Sequence, residues 1–288
     1  MPRRRPLPIP CGRGLPSRKK ACRCPPPTSR DKETLVTFSI IGRCARTGAF
    51  GGAITTSDLA VGSRCLRLAH GKGAMLSQHR TDSRLGDLGI SLLAAGETAQ
   101  DTVSKVSASS SAIEWRQIGA LDARGRAAVY HGRRMYSIYT HSIGKDCLAL
   151  GNILANDGVT DAMAAAFEAA PDAPLGERLV AALEAGRDAG GEVLGPLRSS
   201  AVRVTGEHGI DAVDLRVDIS EETAVEDLRA LYDAYAGRAE ALRRVALEPD
   251  TMPVLRSLFE ASIDRIAELG LEARFPTARH RDSWTLRD

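Results

Sequence analysis

The sequence predicts an α+β fold in which helices cover antiparallel sheets. Short strand-like runs come in pairs joined by turn residues, a pattern typical of β-hairpins. Between the early and late hairpins lie segments whose apolar residues recur three and four positions apart, which predicts amphipathic helices. No G-x-G-x-x-G motif follows a strand, so we do not expect a dinucleotide-binding fold. Of the 288 residues 43% are hydrophobic, enough for a sizeable core.

The elements follow one another in a clear order. The predicted strands are Thr37–Gly42, Gly51–Thr56, Arg64–Ala69, Gly73–Gln78, Trp115–Asp122, Ala127–Tyr130, Cys147–Leu150, Ser200–Val204 and Ala212–Val217. The predicted helices are Leu85–Ala95, Ala99–Val106, Val159–Ala169, Leu175–Ala185, Glu221–Leu247 and Pro253–Leu269. Glycine-containing turns separate the paired strands, and the two last helices are highly charged.

Charge divides the chain into two regions. Residues 1–35, which we call the leader, hold ten Lys and Arg against Asp31 and Glu33, a balance of +8. The remaining residues have a balance of −5. A mildly acidic body without a basic patch argues against nucleic acid as a partner.

The leader is rich in Pro, Arg and Cys and has no periodic apolar pattern, so we expect it to be disordered. It lacks the apolar centre of a secretory signal. Three further cysteines are scattered without a C-x-x-C motif, which favours reduced thiols, a cytoplasmic location, no metal site and no cofactor: Cys44, Cys65 and Cys147. No apolar run has the length of a membrane span.

The junction between Val36 and Thr37 is where the leader gives way to the first predicted strand. A GTG start codon could encode Val36, in which case residues 1–35 would be an over-long gene prediction. Removal of the initiator methionine would then expose Thr37 as the N-terminal residue. The alternative is that residues 1–35 form a pro-segment, which a cut after Val36 removes. This remains a hypothesis that sequencing of the native N-terminus decides.

An N-terminal threonine would supply a nucleophile and its base in one residue. Its α-amine has an ordinary pKa of about 7.7–8.0, so it can accept the hydroxyl proton near neutral pH. Asn152 follows Gly151 at the end of a strand and suits the binding of an oxyanion. Three further polar residues are predicted to bind substrate: Thr56, Gln78 and Arg116. Gln117, next to Arg116, is another polar candidate. The alternative is that Asn152 and Gln78 cap turns and that Thr37 simply favours a strand.

Other catalytic patterns are weaker. No G-x-S-x-G motif is present. The six histidines are isolated in the sequence, and each is predicted to be a surface or hydrogen-bonded structural residue. His79 is the best candidate among them because it follows Gln78 at a strand end.

Several ordered segments together resemble the DUF1028 family, which is assigned to the N-terminal nucleophile (Ntn) hydrolase superfamily. They are Thr37-Phe38-Ser39-Ile40, Gly51–Gly62, Ser77-Gln78, Arg116-Gln117, Gly151-Asn152-Ile153-Leu154, Asp161–Glu168, Leu175–Leu179, Gly186–Gly191 and Val213–Asp218. The resemblance implies a four-layer αββα sandwich over residues 36–231. The charged helices predicted from the residues themselves form an extension with a tail over 232–288. The family's usual Met-Thr-Phe-Ser opening agrees with Val36 as an initiator. The family's usual Gly-Gly-Asp followed by arginines is Gly190-Gly191-Glu192-Val193-Leu194 here. We therefore do not transfer a basic or acidic contact of the family to this position.

The functional expectation is a cytoplasmic amidohydrolase that cleaves an amide of a small metabolite or peptide, with Thr37 as nucleophile and Asn152 at the oxyanion. The alternative is a non-catalytic binding or scaffold protein on the same fold. A surface or fimbrial component is a weaker third hypothesis, against which the missing export signal counts. We expect no nucleic-acid or membrane partner. The charged C-terminal helices could cover the body or pair with a second copy in a homo-oligomer.

Overall fold

The computed structural model describes residues 37–193, 195–276 and 285–288. Within these ranges the chain forms seven α-helices and sheets of six, four and two strands. The leader, which is predicted to be disordered, lies outside the described residues, and so does Val36. The prediction of a mixed fold of helices and antiparallel sheets is confirmed.

The larger sheet has six strands, all paired antiparallel, in the order β10-β9-β2-β1-β8-β7. In chain order these strands are β1 (Thr37–Arg43), β2 (Phe50–Thr56), β7 (Tyr139–Gly144), β8 (Cys147–Asn152), β9 (Ser199–Val204) and β10 (Val213–Val217). The first strand therefore lies inside the sheet, with β2 on one edge and β8 on the other.

The smaller sheet has four antiparallel strands in sequence order. They are β3 (Leu66–Ala69), β4 (Gly73–Gln78), β5 (Gln117–Asp122) and β6 (Ala127–His131). A parallel pair of two-residue strands, β11 (Val254–Leu255) and β12 (Leu286–Arg287), forms the third sheet.

The helices are α1 (Ser83–Ala94), α2 (Ala99–Ala108), α3 (Val159–Ala169), α4 (Leu175–Asp188), α5 (Ala224–Ala236), α6 (Ala239–Leu247) and α7 (Arg256–Glu268). Side-chain caps begin the first two of them. Asp82 accepts a hydrogen bond from the backbone N–H of Arg84, and Thr98 accepts one from that of Asp101. These caps satisfy N–H groups that a helix leaves unpaired in its first turn.

The strand β1 is buried on both faces because its side chains alternate between two cores. Phe38 and Ile40 pack in one cluster with Met163 of α3 and Leu179 of α4. Successive strand residues point to opposite faces, so Thr37, Ser39 and Ile41 share the other face. Ile41 lies there among residues of the four-stranded sheet.

The space between the two sheets is filled by apolar side chains from both. They are Ile41, Phe50, Leu66, Ala74, Leu76, Leu121, Leu148 and Leu150. The opposite face of the four-stranded sheet packs against α1 and α2, with Met75 and Ile118 beside Leu93 and Val103. The six-stranded and the four-stranded sheet thus each have one face on helices and one face on the other of the two.

The sequence prediction missed three strands: β7 and the two-residue strands β11 and β12, of which β11 lies in the predicted helix Pro253–Leu269. β7 was not predicted, because its segment, Tyr-Thr-His-Ser-Ile-Gly, is polar and its side chains alternate between exposed and half-buried. It lies at an edge of the six-stranded sheet, where one side of the strand has no partner to demand an apolar sequence. The single helix predicted over Glu221–Leu247 is also interrupted, since α5 ends at Ala236 and α6 begins at Ala239.

The helix α5 belongs to the main core. Its Val225, Leu228 and Tyr232 lie in the cluster that also holds Phe38. Arg229 adds ion pairs to Glu177 and Glu184 of α4, at 2.7 and 2.8 Å. The domain boundary predicted after residue 231 falls within this helix.

Two further sequence expectations concern the chemistry of the chain. Cys44, Cys65 and Cys147 are free thiols, and the last two are buried. None of the helices that the structure describes is long and apolar enough to cross a bilayer.

The paired residues Leu148 and Ile143 test the packing between the sheets. They are register partners on β8 and β7, but Leu148 is 0% exposed and Ile143 is 56% exposed. We expect Leu148→Ala to lower the free energy of unfolding by about 2–5 kcal/mol, because it leaves a cavity. Ile143→Ala is the matched control and should cost less than about 0.5 kcal/mol. Urea denaturation measures both, and equal losses would contradict the assignment of the core.

Candidate functional site

The layer between the sheets changes from apolar to polar at one end. There the first or last residues of five strands carry buried polar side chains: Thr37, Thr56, Gln78, Gln117 and Asn152. All five follow the strand alternation that faces the opposite sheet. The apolar core is therefore closed at this end by a cluster of hydroxyl and amide groups.

Thr37 lies in the middle of this end of the six-stranded sheet. The register pairs it with Thr56 on β2 and with Asn152 on β8. Directly opposed residues in antiparallel strands have side chains on the same face and in contact range. The Oγ1 atom of Thr37 donates to Oγ1 of Thr56 at 3.4 Å, and Thr37 is 5% exposed.

A chain of hydrogen bonds links the two sheets next to Thr37, starting from Ser39 on the same face of β1. Ser39 Oγ donates to Gln78 Oε1 at 2.7 Å, and Gln78 Nε2 donates to Gln117 Oε1 at 2.6 Å. Asn152 Nδ2 donates to the same Gln117 oxygen at 3.0 Å. Gln117 Nε2 in turn donates to the carbonyl oxygen of Gly151 at 2.9 Å. Gln117 thus takes part in three of these four hydrogen bonds, and two of the three join it to β8 of the other sheet.

Two histidines extend this network to the surface. Gln117 Nε2 lies 3.2 Å from Nδ1 of His131, whose Nε2 lies 3.0 Å from Nδ1 of His141. An amide nitrogen only donates, so Nδ1 of His131 accepts and its proton is on Nε2. Burial and, to a smaller extent, the neighbouring His141 together lower the pKa of His131 to about 4. His131 is therefore neutral at pH 7.

A buried acceptor on Asn152 has no partner among the residues that the structure describes. Its Oδ1 atom accepts no hydrogen bond from them, although the Nδ2 atom of the same amide donates to Gln117. Unsatisfied buried polar atoms are rare in folded proteins and call for an explanation. Asn152 Oδ1 lies on the residue opposite Thr37, so an N–H or O–H group brought there would satisfy it.

The backbone beside the site adopts conformations that are uncommon for residues other than glycine. Ile153, which follows Asn152, has φ 54°, and His79 and Arg80, which follow Gln78, have φ 54° and 49°. For a β-branched residue such as Ile153 this conformation is a genuine outlier. Backbone strain of this kind concentrates at functional sites.

A basic and aromatic group of residues lies just outside the ends of β4 and β5. The guanidinium of Arg80 lies 4.2 Å from the ring centroid of Trp115, and that of Arg134 lies 5.4 Å from it. His79 Nδ1 is 2.6 Å from the carbonyl oxygen of Trp115. Burial lowers the pKa of His79, which keeps this ring neutral at pH 7.

Arg116 lies apart from the hydrogen-bonded network. It is extended and alternates with Gln117, so it shares the side of Ile118, which packs against the helices. The charges that act on it are those of Asp82, Arg80 and Arg84 near the start of α1. The structure thus brings four of the five predicted site residues together and leaves Arg116 on the other face of its sheet.

Glu192 is a further acidic group at the same end. Its Oε1 accepts the backbone N–H of Ser57 at 3.2 Å, and Ser57 directly follows Thr56. Its Oε2 is buried and has no hydrogen-bond partner in the described part of the chain. Burial raises the pKa of the Glu192 carboxyl to about 8, and hydrogen bonds from Ser57 offset only part of this rise.

Sequence reasoning missed several members of this cluster. Ser39 was detectable, since it lies two residues after Thr37 and period-two alternation puts both on one face. His131, His141 and Glu192 left no usable pattern, because long-range pairing alone brings them to the site. Among the described residues, no group of three or more His, Cys, Asp or Glu side chains could hold a metal ion.

The comparisons with known proteins identify the family. The family of unknown function DUF1028 matches residues 37–228, which include the whole polar cluster. The chain belongs to the DUF1028 family. The resemblance found in the sequence is thereby confirmed.

A crystal structure from this family is similar to the chain. It is the DUF1028-family protein SPO2555 of Silicibacter pomeroyi, which is 32% identical with a TM-score of 0.65. The match covers 70% of this chain and 89% of that protein. No curated protein matches the chain.

The central role of Gln117 predicts a large effect of its replacement. Gln117→Leu leaves the donors of Gln78 and Asn152 without their acceptor, and each orphaned buried group costs about 1–3 kcal/mol. Gln100→Leu, on the exposed face of α2, is the control and should stay within about 0.5 kcal/mol of wild type. Urea denaturation compares the two. A loss for Gln117→Leu no greater than for the control would show that the network is not formed.

The lowered pKa of His131 predicts a pH effect on stability. The imidazole titrates at about 4 in the folded protein, below the ordinary value of about 6.5 in the unfolded chain. The unfolded state therefore binds more protons between these values, and stability falls as the pH drops through this window. We expect His131→Gln to flatten this part of the stability profile. Histidine ring resonances followed by NMR check the pKa directly, and a titration of His131 near 6.5 would contradict its burial.

Proposed function

We propose that this protein is a cytoplasmic amidohydrolase of the Ntn type, which cleaves an amide bond in a small metabolite or peptide. The observation that carries the proposal is the position of Thr37. It is the first residue of a strand inside the sheet, flanked by Thr56 and Asn152, at the polar end of the layer between the sheets.

The architecture supports this proposal. One sheet packs on α3 and α4, the other packs on α1 and α2, and the two sheets face each other. This order of layers agrees with the αββα sandwich that the family resemblance implies. The family match also begins at Thr37 itself.

The proposed reaction needs a free amino group on Thr37. The hydroxyl Oγ1 attacks the amide carbonyl carbon while its proton moves to the α-amine, which acts as the general base. The C–N bond then breaks, and the α-ammonium returns the proton to the leaving amine. Water hydrolyses the resulting ester by the same route, releasing a carboxylic acid and restoring Thr37.

Asn152 has the role of stabilising the negative charge that develops on the carbonyl oxygen. One N–H of its amide is bound to Gln117, which fixes the orientation of the group, and a primary amide has a second N–H to offer. A fixed donor of this kind favours the transition state without having to reorganise. Thr56 and Gln78 line the same end of the layer and would contact the substrate.

The test is to expose the amine of Thr37 at will. We would insert a factor Xa recognition sequence between Val36 and Thr37 of the full chain, so that cutting leaves Thr37 as an N-terminus. The uncut protein is its own control, because an acylated nitrogen is not a base. We expect hydrolysis of members of an amide library, followed by mass spectrometry, only after cutting.

Two variants of the cut protein locate the activity. Thr37→Ala should reduce kcat by about 10³-fold or more, since the nucleophile is lost. Thr37→Ser keeps a hydroxyl and should retain part of the rate. Equal activity in cut and uncut protein, or unchanged hydrolysis by Thr37→Ala, would place the reaction at another site. Absence of hydrolysis in every form would favour a binding protein on this fold.

A further inference from the structure

The segment that carries Glu192 connects the two strands that flank β1. The backbone N–H of Val193 donates to the carbonyl oxygen of Ile153 at 3.2 Å, and that of Ala155 donates to Gly191 at 3.0 Å. These bonds attach the segment to the continuation of β8. The carboxyl of Glu192 reaches the other flank, where it accepts the N–H of Ser57, beyond the end of β2.

These contacts place Glu192 at the amino end of Thr37. β2 and β8 run antiparallel to β1, so residues that follow Thr56 and Asn152 lie beyond Thr37 on its N-terminal side. Each residue advances a strand by about 3.3 Å, so Ser57 lies one such step past Thr37. Gly191 also borders Phe38, since a Cβ atom built on Gly191 would lie 3.6 Å from that ring.

One oxygen of the Glu192 carboxyl is not engaged by any residue that the structure describes. Its Oε2 is buried and has no hydrogen-bond partner there, while Oε1 accepts the N–H of Ser57. Once ionised, a carboxyl group that is oriented by one oxygen and unsatisfied at the other accepts an additional donor. The α-amino group of Thr37, once free, is a donor at this end of the sheet.

Two other charged groups near this position already have partners. On the continuation of β2, Asp58 pairs with Arg64 at 3.0 Å. On α4, Arg187 pairs with two carboxylates at 2.8 and 2.9 Å. The segment Ile153–Ala155 contributes no ionisable side chain. Burial dominates the raised pKa of Glu192, and no charged neighbour contributes to it.

We propose that Glu192 holds the α-amino group of Thr37 through its Oε2 atom. It is a positioning residue: it orients the amine toward Oγ1 of Thr37 and stabilises the ammonium that forms when the amine takes the hydroxyl proton. The carboxylate of a Ser-His-Asp triad acts on its imidazole in the same way. The inference rests on the proposed function to the extent that Thr37 must become an N-terminal residue.

Titration of the amine tests this contact without any turnover. The protein is the full chain with the factor Xa sequence before Thr37, labelled with ¹³C-threonine. The Cα resonance that appears on cutting and disappears in Thr37→Ser belongs to Thr37, and its shift with pH reports the pKa of the amine. A carboxylate at contact distance raises this pKa, so we expect Glu192→Gln to lower it by about 1 unit or more.

Two further variants separate charge from structure. Glu192→Asp keeps the carboxylate on a shorter side chain and should lower the amine pKa less than Glu192→Gln does. Asp58→Asn removes the neighbouring carboxylate that Arg64 already pairs, and it should leave the amine pKa unchanged. An amine pKa in Glu192→Gln equal to that of wild type overturns the proposal.

The uncut and cut forms provide a measurement that needs no substitution at Glu192. In ¹³C-glutamate-labelled protein the carboxyl of Glu192 should titrate at about 8 before cutting. After cutting, the ammonium favours the carboxylate form, so the pKa of Glu192 should fall. An unchanged value would also overturn the contact. If Glu192→Gln lowers the pKa of the Thr37 amine but no amide is hydrolysed, the contact stands and the amidohydrolase is rejected. If amides are hydrolysed and the pKa of the amine does not change, only the contact is rejected.

Discussion

The structure depends on the pairing of β1 along both of its edges. Its register with β2 and β8 leaves no freedom in which side chains face which core, because a shift by one residue would exchange the two faces. Phe38 and Ile40 would then enter the layer between the sheets, and Thr37 and Ser39 would face the apolar side of α3 and α4. The hydrophobic cost of that exchange fixes Thr37 between Thr56 and Asn152. The geometry of the candidate site is therefore a consequence of core packing.

The polar end of the layer has a different source of order. Gln117 accepts from two amides and donates to a backbone carbonyl, so each group in the chain from Ser39 to His131 has a fixed orientation. Such networks are rigid in a low-dielectric interior, because a buried polar group that loses its hydrogen bond there lowers the stability of the fold. Two buried oxygen atoms have no hydrogen-bond partner among the described residues, and both are therefore informative: Asn152 Oδ1 and Glu192 Oε2. Both belong to segments that flank the start of β1, and a free amine on Thr37 would present donors to that region.

Much of the fold could be predicted from the sequence because local rules govern it. Period-two runs and glycine turns gave the hairpins, and 3.6-residue periodicity gave the helices α1 to α4. β7 escaped prediction because its place at an edge of the sheet is set by long-range pairing with β8. At the site, Thr37, Thr56, Gln78 and Asn152 were detectable as polar residues at strand ends. Arg116 had the same local pattern as Gln117, and only the alternation of an extended backbone separates the two.

The same reasoning explains why the acidic residue and the two histidines of the site could not be predicted from the sequence. His131 and His141 are ten residues apart on strands of different sheets, and Glu192 is far in sequence from both strands that it contacts. Their chemistry arises from burial: the same low-dielectric surroundings keep His131 neutral and raise the pKa of Glu192. A histidine that stays neutral and a carboxyl that stays protonated reduce the charge buried near Thr37. A new ammonium at Thr37 would therefore interact mainly with Glu192, since this carboxyl can ionise in response and the amides of the network cannot.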